Sequence, residues 1–179
     1  MENKALKRII TLACLIWLAP GMSQASGMMV YGGLGAGYSV LDNPPPATDS
    51  ASGAGKVYLG LDLFGPFGLE ATYYNLGKYN DGKEQVTATS VALLARVNSS
   101  MGSLFVKGGG ANWKVKDTTN TIEISGNDIV YSLGFEIPIA MRTIFRAEWE
   151  RFNNVGKDTV SAVTGNDISL LTLSINYLF

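Results

Sequence analysis

The chain carries few residue types that could do chemistry. It has 179 residues, no histidine and one cysteine, Cys14. Without histidine, proton transfer at neutral pH would fall to carboxylates. The closest pair, Glu148 and Glu150, are two residues apart. The stretch Gly32-Gly33-Leu34-Gly35-Ala36-Gly37 looks superficially like a phosphate loop. A phosphate loop needs a strand before it and a helix after it, and no helix pattern follows. Gly126-Asn127-Asp128-Ile129 and Gly165-Asn166-Asp167-Ile168 repeat one text. They offer too few oxygens in a fixed frame to hold a calcium ion and read as loop exits. Six further charges stand out by their setting, Glu70, Arg96, Lys107, Glu136, Arg146 and Glu148. Each is a lone or near-lone charge inside a segment that alternates apolar and small polar residues. Three acids and three bases in that setting point to ion pairing, not to turnover.

The elements that hold these charges are strands. The last eleven residues show it best: Leu171, Leu173, Ile175, Tyr177 and Phe179 alternate with Thr172, Ser174 and Asn176. A period of two means one apolar and one polar face. The same pattern recurs, giving eight expected strands at 28–40, 56–64, 67–75, 85–97, 103–113, 128–137, 142–152 and 167–179. A bulge is expected near Asn112-Trp113, where the alternation falters, and Pro138 is expected to end the sixth strand. Long polar connections are expected at 41–55, 76–84, 114–127 and 153–166, and short turns near 65–66, 98–102 and 138–141. All six charges fall on the less apolar parity of their strands. Glycines on that parity make room for large side chains from facing strands.

The N-terminus is of another kind. Lys4, Lys7 and Arg8 precede an apolar run at 9–19, and Ser23-Gln24-Ala25 follows. A basic start, a short apolar run and a small-x-small site make a cleavable secretory signal peptide at 1–25, leaving a domain at 26–179. The run is shorter than the about 20 residues of a spanning helix. Cys14 lies within it, and Thr11-Leu12-Ala13 is a poor lipoprotein signal, so the mature chain is expected to have no disulfide. Losing Glu2, Lys4, Lys7 and Arg8 removes a charge of +2, taking the net charge from −1 to −3. No basic patch suggests nucleic acid.

A soluble barrel and a membrane barrel both alternate. Charge density separates them: the chain is 16% charged, against about 25–35% for a soluble surface. The apolar parity also carries Tyr73, Tyr131, Trp149, Tyr177 and Phe179 toward strand ends, as an interfacial aromatic girdle requires. Long and short connections alternate, which matches external loops and periplasmic turns. The expected fold is therefore all-β, an eight-stranded antiparallel up-and-down transmembrane β-barrel. A backbone without spanning helices crosses a bilayer only as such a closed barrel.

Four segments carry a family resemblance: Gly68-Leu69-Glu70-Ala71-Thr72-Tyr73-Tyr74-Asn75-Leu76-Gly77, Gly134-Phe135-Glu136, Arg146-Ala147-Glu148-Trp149 and the closing 170–179. In this order they resemble the OmpA-like eight-stranded transmembrane domain over the whole mature chain. The peptidoglycan-binding domain of larger relatives is not expected here. The resemblance implies the bacterial outer membrane, with lipopolysaccharide and phospholipid as partners. It implies engagement of the barrel-assembly machinery through the strand ending at Phe179, and surface partners at the external loops. It also implies that Glu70, Arg96, Lys107, Glu136, Arg146 and Glu148 form a lumen ion-pair network. Enclosed charges must pair, because each unpaired one costs several kcal/mol. The plainest role for such a network is to lock the barrel and fix register; a gate in a small pore is the alternative. No catalytic residue, metal or cofactor is expected. A barrel enzyme acting on lipid or protein ranks last, since known ones generally use a histidine base.

Overall fold

The computed structural model describes residues 28–42, 50–117, 123–155 and 166–179. The expected signal peptide at 1–25, Cys14 included, lies outside them. Eight strands follow in chain order: β1 (Met29–Leu41), β2 (Ala51–Asp62), β3 (Phe67–Tyr79), β4 (Glu84–Ser99), β5 (Gly102–Asp117), β6 (Glu123–Ala140), β7 (Thr143–Val155) and β8 (Asn166–Leu178). Each pairs antiparallel with its sequence neighbours, and β1 pairs with β8 to close the barrel. The closing seam runs from Tyr31↔Leu178 to Leu41↔Ile168, extended by Phe179 N–H donating to Val30 O at 3.0 Å. Among the described residues no sheet edge is left unpaired, as a bilayer demands.

The strands are longer than the sequence reading placed them, almost entirely at one end. β5 continues to Asp117 and β6 starts at Glu123, so most of the expected loop 114–127 is paired sheet, Lys114↔Ser125 and Lys116↔Glu123 among it. Gly126-Asn127-Asp128 is strand, not loop exit. β2 begins at Ala51, β3 reaches Tyr79 and β7 reaches Val155, each within an expected loop. The register through Asn112 and Trp113 is unbroken, so no bulge sits there. Shifts occur instead at Asn75/Gly77, Pro138/Ala140 and Phe152/Val155. Pro138 does not stop β6, which continues to Ala140 across one of these shifts. A proline is tolerated at a bulge because no ladder hydrogen bond is required of it there.

The reason for the extra length is a change in polarity. In the lower part of β5, Leu104 and Val106 face outward while Phe105 and Lys107 are buried inside. Above Gly110 the outward residues are Asn112, Lys114 and Lys116, and the inward ones are Ala111, Trp113 and Val115. β4 repeats this, with Val91 below and Thr89, Thr87 and Gln85 above on the outer face, and Ala88 and Val86 inside. Outward polarity also changes toward the same end of the next strands: between Ile129 and Asn127, Trp149 and Arg151, and Leu171 and Ser169. Below that height an apolar belt meets lipid. Above it the same sheet stands in water and holds an apolar core, as a soluble barrel does. From Leu171 to Phe179 the belt is about 20 Å tall at the usual strand rise and tilt.

Candidate functional site: the filled lumen

The lower lumen holds a continuous chain of alternating charge. Asp62 at the short-turn end pairs with Arg96 Nη1, and Arg96 Nε donates to Glu136 at 2.9 Å. Glu136 also accepts from Arg146 Nε at 2.8 Å, and Arg146 Nη1 reaches Glu70 at 2.6 Å. Lys107 Nζ lies 2.7 Å from Glu70, 2.7 Å from Glu148 and 3.1 Å from Glu150. Lys56 closes the chain with Glu148 at 2.5 Å and Glu150 at 2.6 Å. Hydroxyls fill further acceptor sites. Tyr31 donates to Glu70 at 3.0 Å, Tyr74 to Glu150 at 2.8 Å and Ser132 to Glu148 at 2.6 Å. Asn176 accepts from Tyr58 and donates to Glu136 at 3.4 Å.

All six charges of the sequence reading point inward and meet one another here. Three further members, Lys56, Asp62 and Glu150, stand outside those six, Glu150 figuring in the sequence reading only as half of the carboxylate pair with Glu148. Parity alone marks them: Lys56 and Asp62 share the inward face of β2 with Tyr58 and Gly60, and Glu150 follows Glu148 on the inward face of β7. With them the chain has four bases and five acids. Asp62, with its side chain 31% exposed, is the acid that can keep water.

Aromatic rings fix the centre. The Arg146 guanidinium is fully buried, 4.8 Å from the Tyr58 ring centroid and 4.7 Å from that of Phe105. Glycines seat these rings. A Cβ on Gly134 would lie 2.2 Å from Phe105 Cζ, and one on Gly60 would lie 1.9 Å from Tyr31 Cζ. Tyr74 links the charged layer to the next. Its hydroxyl holds Glu150 and its ring meets Phe152 edge-on at 4.9 Å. Above it lies the apolar cluster of Leu41, Leu76, Tyr79, Val86, Trp113, Val130, Phe152, Val155, Ile168 and Leu170, among others. The lumen is thus filled twice, by paired charge below and by apolar side chains above. At the short-turn end a cavity of about 190 Å³ remains, bordered by Asp62, Arg96, Asn98, Glu136 and Asn176. Among the described residues no three His, Cys, Asp or Glu side chains are grouped to hold a metal ion.

The aromatic residues of the expected girdle all face outward. Tyr73, Tyr131 and Trp149 sit at the top of the apolar belt, with Tyr131 and Trp149 edge to face at 6.1 Å. Tyr177 and Phe179 sit at the bottom, 5.5 Å apart. Just above Trp149, Arg151 lies 2.5 Å from Asp42 and 2.8 Å from Asp167.

A closed antiparallel barrel with a lipid-facing belt, a filled lumen and its longer connections at one end is an integral barrel of the bacterial outer membrane. The chain belongs to the outer membrane protein beta-barrel domain family, whose sequence model matches residues 10–179. It is similar in fold to Neisserial surface protein A, with a TM-score of 0.63, 8% identity and coverage of 86% of this chain and 98% of that one. It is similar to Ail, the attachment invasion locus protein of Yersinia pestis, with a TM-score of 0.53, 12% identity and coverage of 85% and 97%. The N-terminal barrel domain of Pseudomonas aeruginosa OprF gives a TM-score of 0.55, 11% identity and coverage of 83% and 97%. At these identities the likeness is one of fold. No curated protein sequence matches the chain.

Proposed function

We propose that this protein is a sealed structural barrel whose working surface is its external end. The observation that carries the reading is the double filling of the lumen. An ion moving along the axis would have to break the paired charges between Arg96 and Lys56 and then part the apolar cluster around Tyr79, Phe152 and Leu170. An eight-stranded barrel has little room for anything but side chains. The lumen charges then act as a lock that fixes strand register. The outer storey, raised above the lipid on extended strands, presents the connections to the surroundings. Two of the similar structures are a surface protein and an attachment protein by name, which agrees in kind. β8, with Phe179 directly after it, is the strand we assign to contact with the assembly machinery.

The gated pore is the second reading. Planar-bilayer recording of the refolded barrel, wild type beside Arg146→Ala, separates the two. Both proteins should be silent, because the apolar layer remains when Arg146 is lost. Discrete wild-type openings would establish a pore. Openings only in Arg146→Ala would make the charges the sole seal and sink the two-layer account. Against an enzymatic role stands the setting of Glu148 and Glu150, the carboxylates two residues apart on β7, which are enclosed and hold Lys56 and Lys107.

A further inference from the structure

Among the described residues the lumen chain is one positive charge short, and the shortage falls at its periplasmic mouth. Glu136 is held on both oxygens, by Arg96, Arg146 and Asn176. Asp62, the last acid of the chain, is held by Arg96 alone. Its Oδ1 accepts from Arg96 Nη1, and its Oδ2 accepts no hydrogen bond from a described residue. The Asp62 side chain is 31% exposed and borders the cavity of about 190 Å³, together with Met29 and Tyr31 of β1. Arg142, in the turn between β6 and β7, lies three strand spacings round the barrel from β2, about 14 Å. It makes no ion pair with a described residue. The start of the barrel domain is much nearer. Met29 is the register partner of Asp62 and faces the same cavity. Cleavage after Ala25 makes Ser26 the first residue, three before Met29. Ser26 and Gly27 lie outside the described residues. Three residues span at most about 10 Å, and cross-strand partners stand about 5 Å apart. A backbone that folds back at Gly27, where no Cβ hinders it, brings its first nitrogen within reach of the Asp62 carboxylate.

We infer that the α-ammonium of Ser26, created by removal of the signal peptide, docks in this mouth and pairs with Asp62 as the fifth cation of the lumen chain. Hydrolysis of the Ala25–Ser26 bond consumes one water. It leaves a carboxylate on the departing segment and, at neutral pH, an ammonium on the barrel. Charge selects this occupant: the mouth presents Asp62 and Glu136 against Arg96, and an added cation brings the chain to five bases and five acids. In the uncut precursor the same nitrogen is an uncharged amide. The ion-pair chain is therefore completed only in a processed barrel, and maturation sets the final stability of the lumen. The inference rests on the signal-peptide reading and on the lumen charges acting as a lock.

The test uses the barrel purified from outer membranes. Its intact mass should match a chain that begins at Ser26; any other start overturns the inference. A water-soluble carbodiimide joins an ammonium to a carboxylate it touches, with no spacer between them. It should link Ser26 to Asp62, read by tandem mass spectrometry of tryptic peptides. A link from Ser26 to some other carboxylate, or no link, overturns the site. Mild periodate converts an N-terminal serine to an aldehyde and so removes the ammonium. In lipid vesicles this should lower the folding equilibrium constant by about two- to fivefold, the scale of a partly exposed pair. In Asp62→Asn the same treatment should change nothing. Heat-modified gel mobility certifies that the variant is folded, and Asp62→Ser replaces it if it is not. An equal loss in the variant gives the ammonium another partner and overturns the pairing. Glu70→Ala, deep in the chain, reads the lock by itself. A large loss there beside no effect of periodate sinks the docked ammonium and leaves the lock standing. No loss in either experiment overturns both.

Discussion

At the residue scale the lumen works as a set of mutual obligations. Glu70 accepts from Lys107, Arg146 and Tyr31, so no single partner can be lost quietly. Removing one member of a buried pair leaves a charge without compensation and costs about 3–5 kcal/mol. Glu70→Ala should therefore lower unfolding stability in lipid vesicles by that amount, read as a shift in the urea midpoint. A shift below about 1 kcal/mol, the scale of a surface pair, would mean that water enters and screens the site. The glycines that seat the rings are equally committed. Gly134→Ala places a methyl group 2.2 Å from Phe105 Cζ, and the ring beneath Arg146 must move. Overpacking of this kind costs about 1–3 kcal/mol. The companion Gly110→Ala, facing open space on the outer wall, should be neutral. If both variants unfold at the wild-type midpoint, the lumen is looser than these contacts require.

At the scale of elements, the strands outrun their own apolar pattern. Their lower halves were legible because apolar residues on one parity had to meet lipid, and β8 from Leu171 to Phe179 reads without ambiguity. The upper halves were not. In 114–127 the sequence Lys114-Val115-Lys116-Asp117 still alternates, but its charged residues suggest a loop when a lipid-facing strand is the template. Once the outer face meets water, Lys114 and Lys116 become ordinary surface residues and Val115 and Trp113 become core. The misplaced bulge has the same origin: Asn112-Trp113 breaks the lipid pattern where polarity inverts, while the register stays intact. Of the lumen charges, six were legible by resemblance and parity together. Lys56, Asp62 and Glu150 share the inward parity but lie outside the segments that carry the resemblance. The upper ends of β7 and β8 are joined by Asp167, which accepts from Asn154 N–H at 2.9 Å and from Arg151 Nη2 at 2.8 Å. The Asn154 N–H first, and then the Arg151 guanidinium, hold its carboxyl below the usual carboxylate range. A carboxylate with a lowered folded-state pKa adds stability above its unfolded pKa and loses it as pH falls through the folded value. Protection of the Asn154 amide from hydrogen exchange should thus drop on acidification in wild type. In Asp167→Asn it should be low and independent of pH. An equal drop in the variant would assign the effect to other groups.

At the scale of the whole molecule, two barrels share one sheet: a membrane barrel with a charged interior and, continuous above it, a water-facing barrel with an apolar interior. The two tryptophans after the expected signal peptide, Trp113 and Trp149, report on one storey each. Trp149 is 39% exposed on the lipid-facing side, and Trp113 is 5% exposed inside the upper core. Phospholipids brominated along the acyl chain quench only indoles they can touch. In vesicles of such lipids, Trp113→Phe, which keeps only Trp149, should be strongly quenched. Trp149→Phe, which keeps only Trp113, should retain nearly all its fluorescence. Bromination close to the glycerol should quench Trp149 more than bromination at the chain terminus, since the girdle lies at the interface. If Trp113 is quenched as strongly as Trp149, the membrane reaches the upper storey. The inversion of polarity between Gly110 and Asn112 would then not mark the surface of the bilayer, and the raised external wall would have to be abandoned.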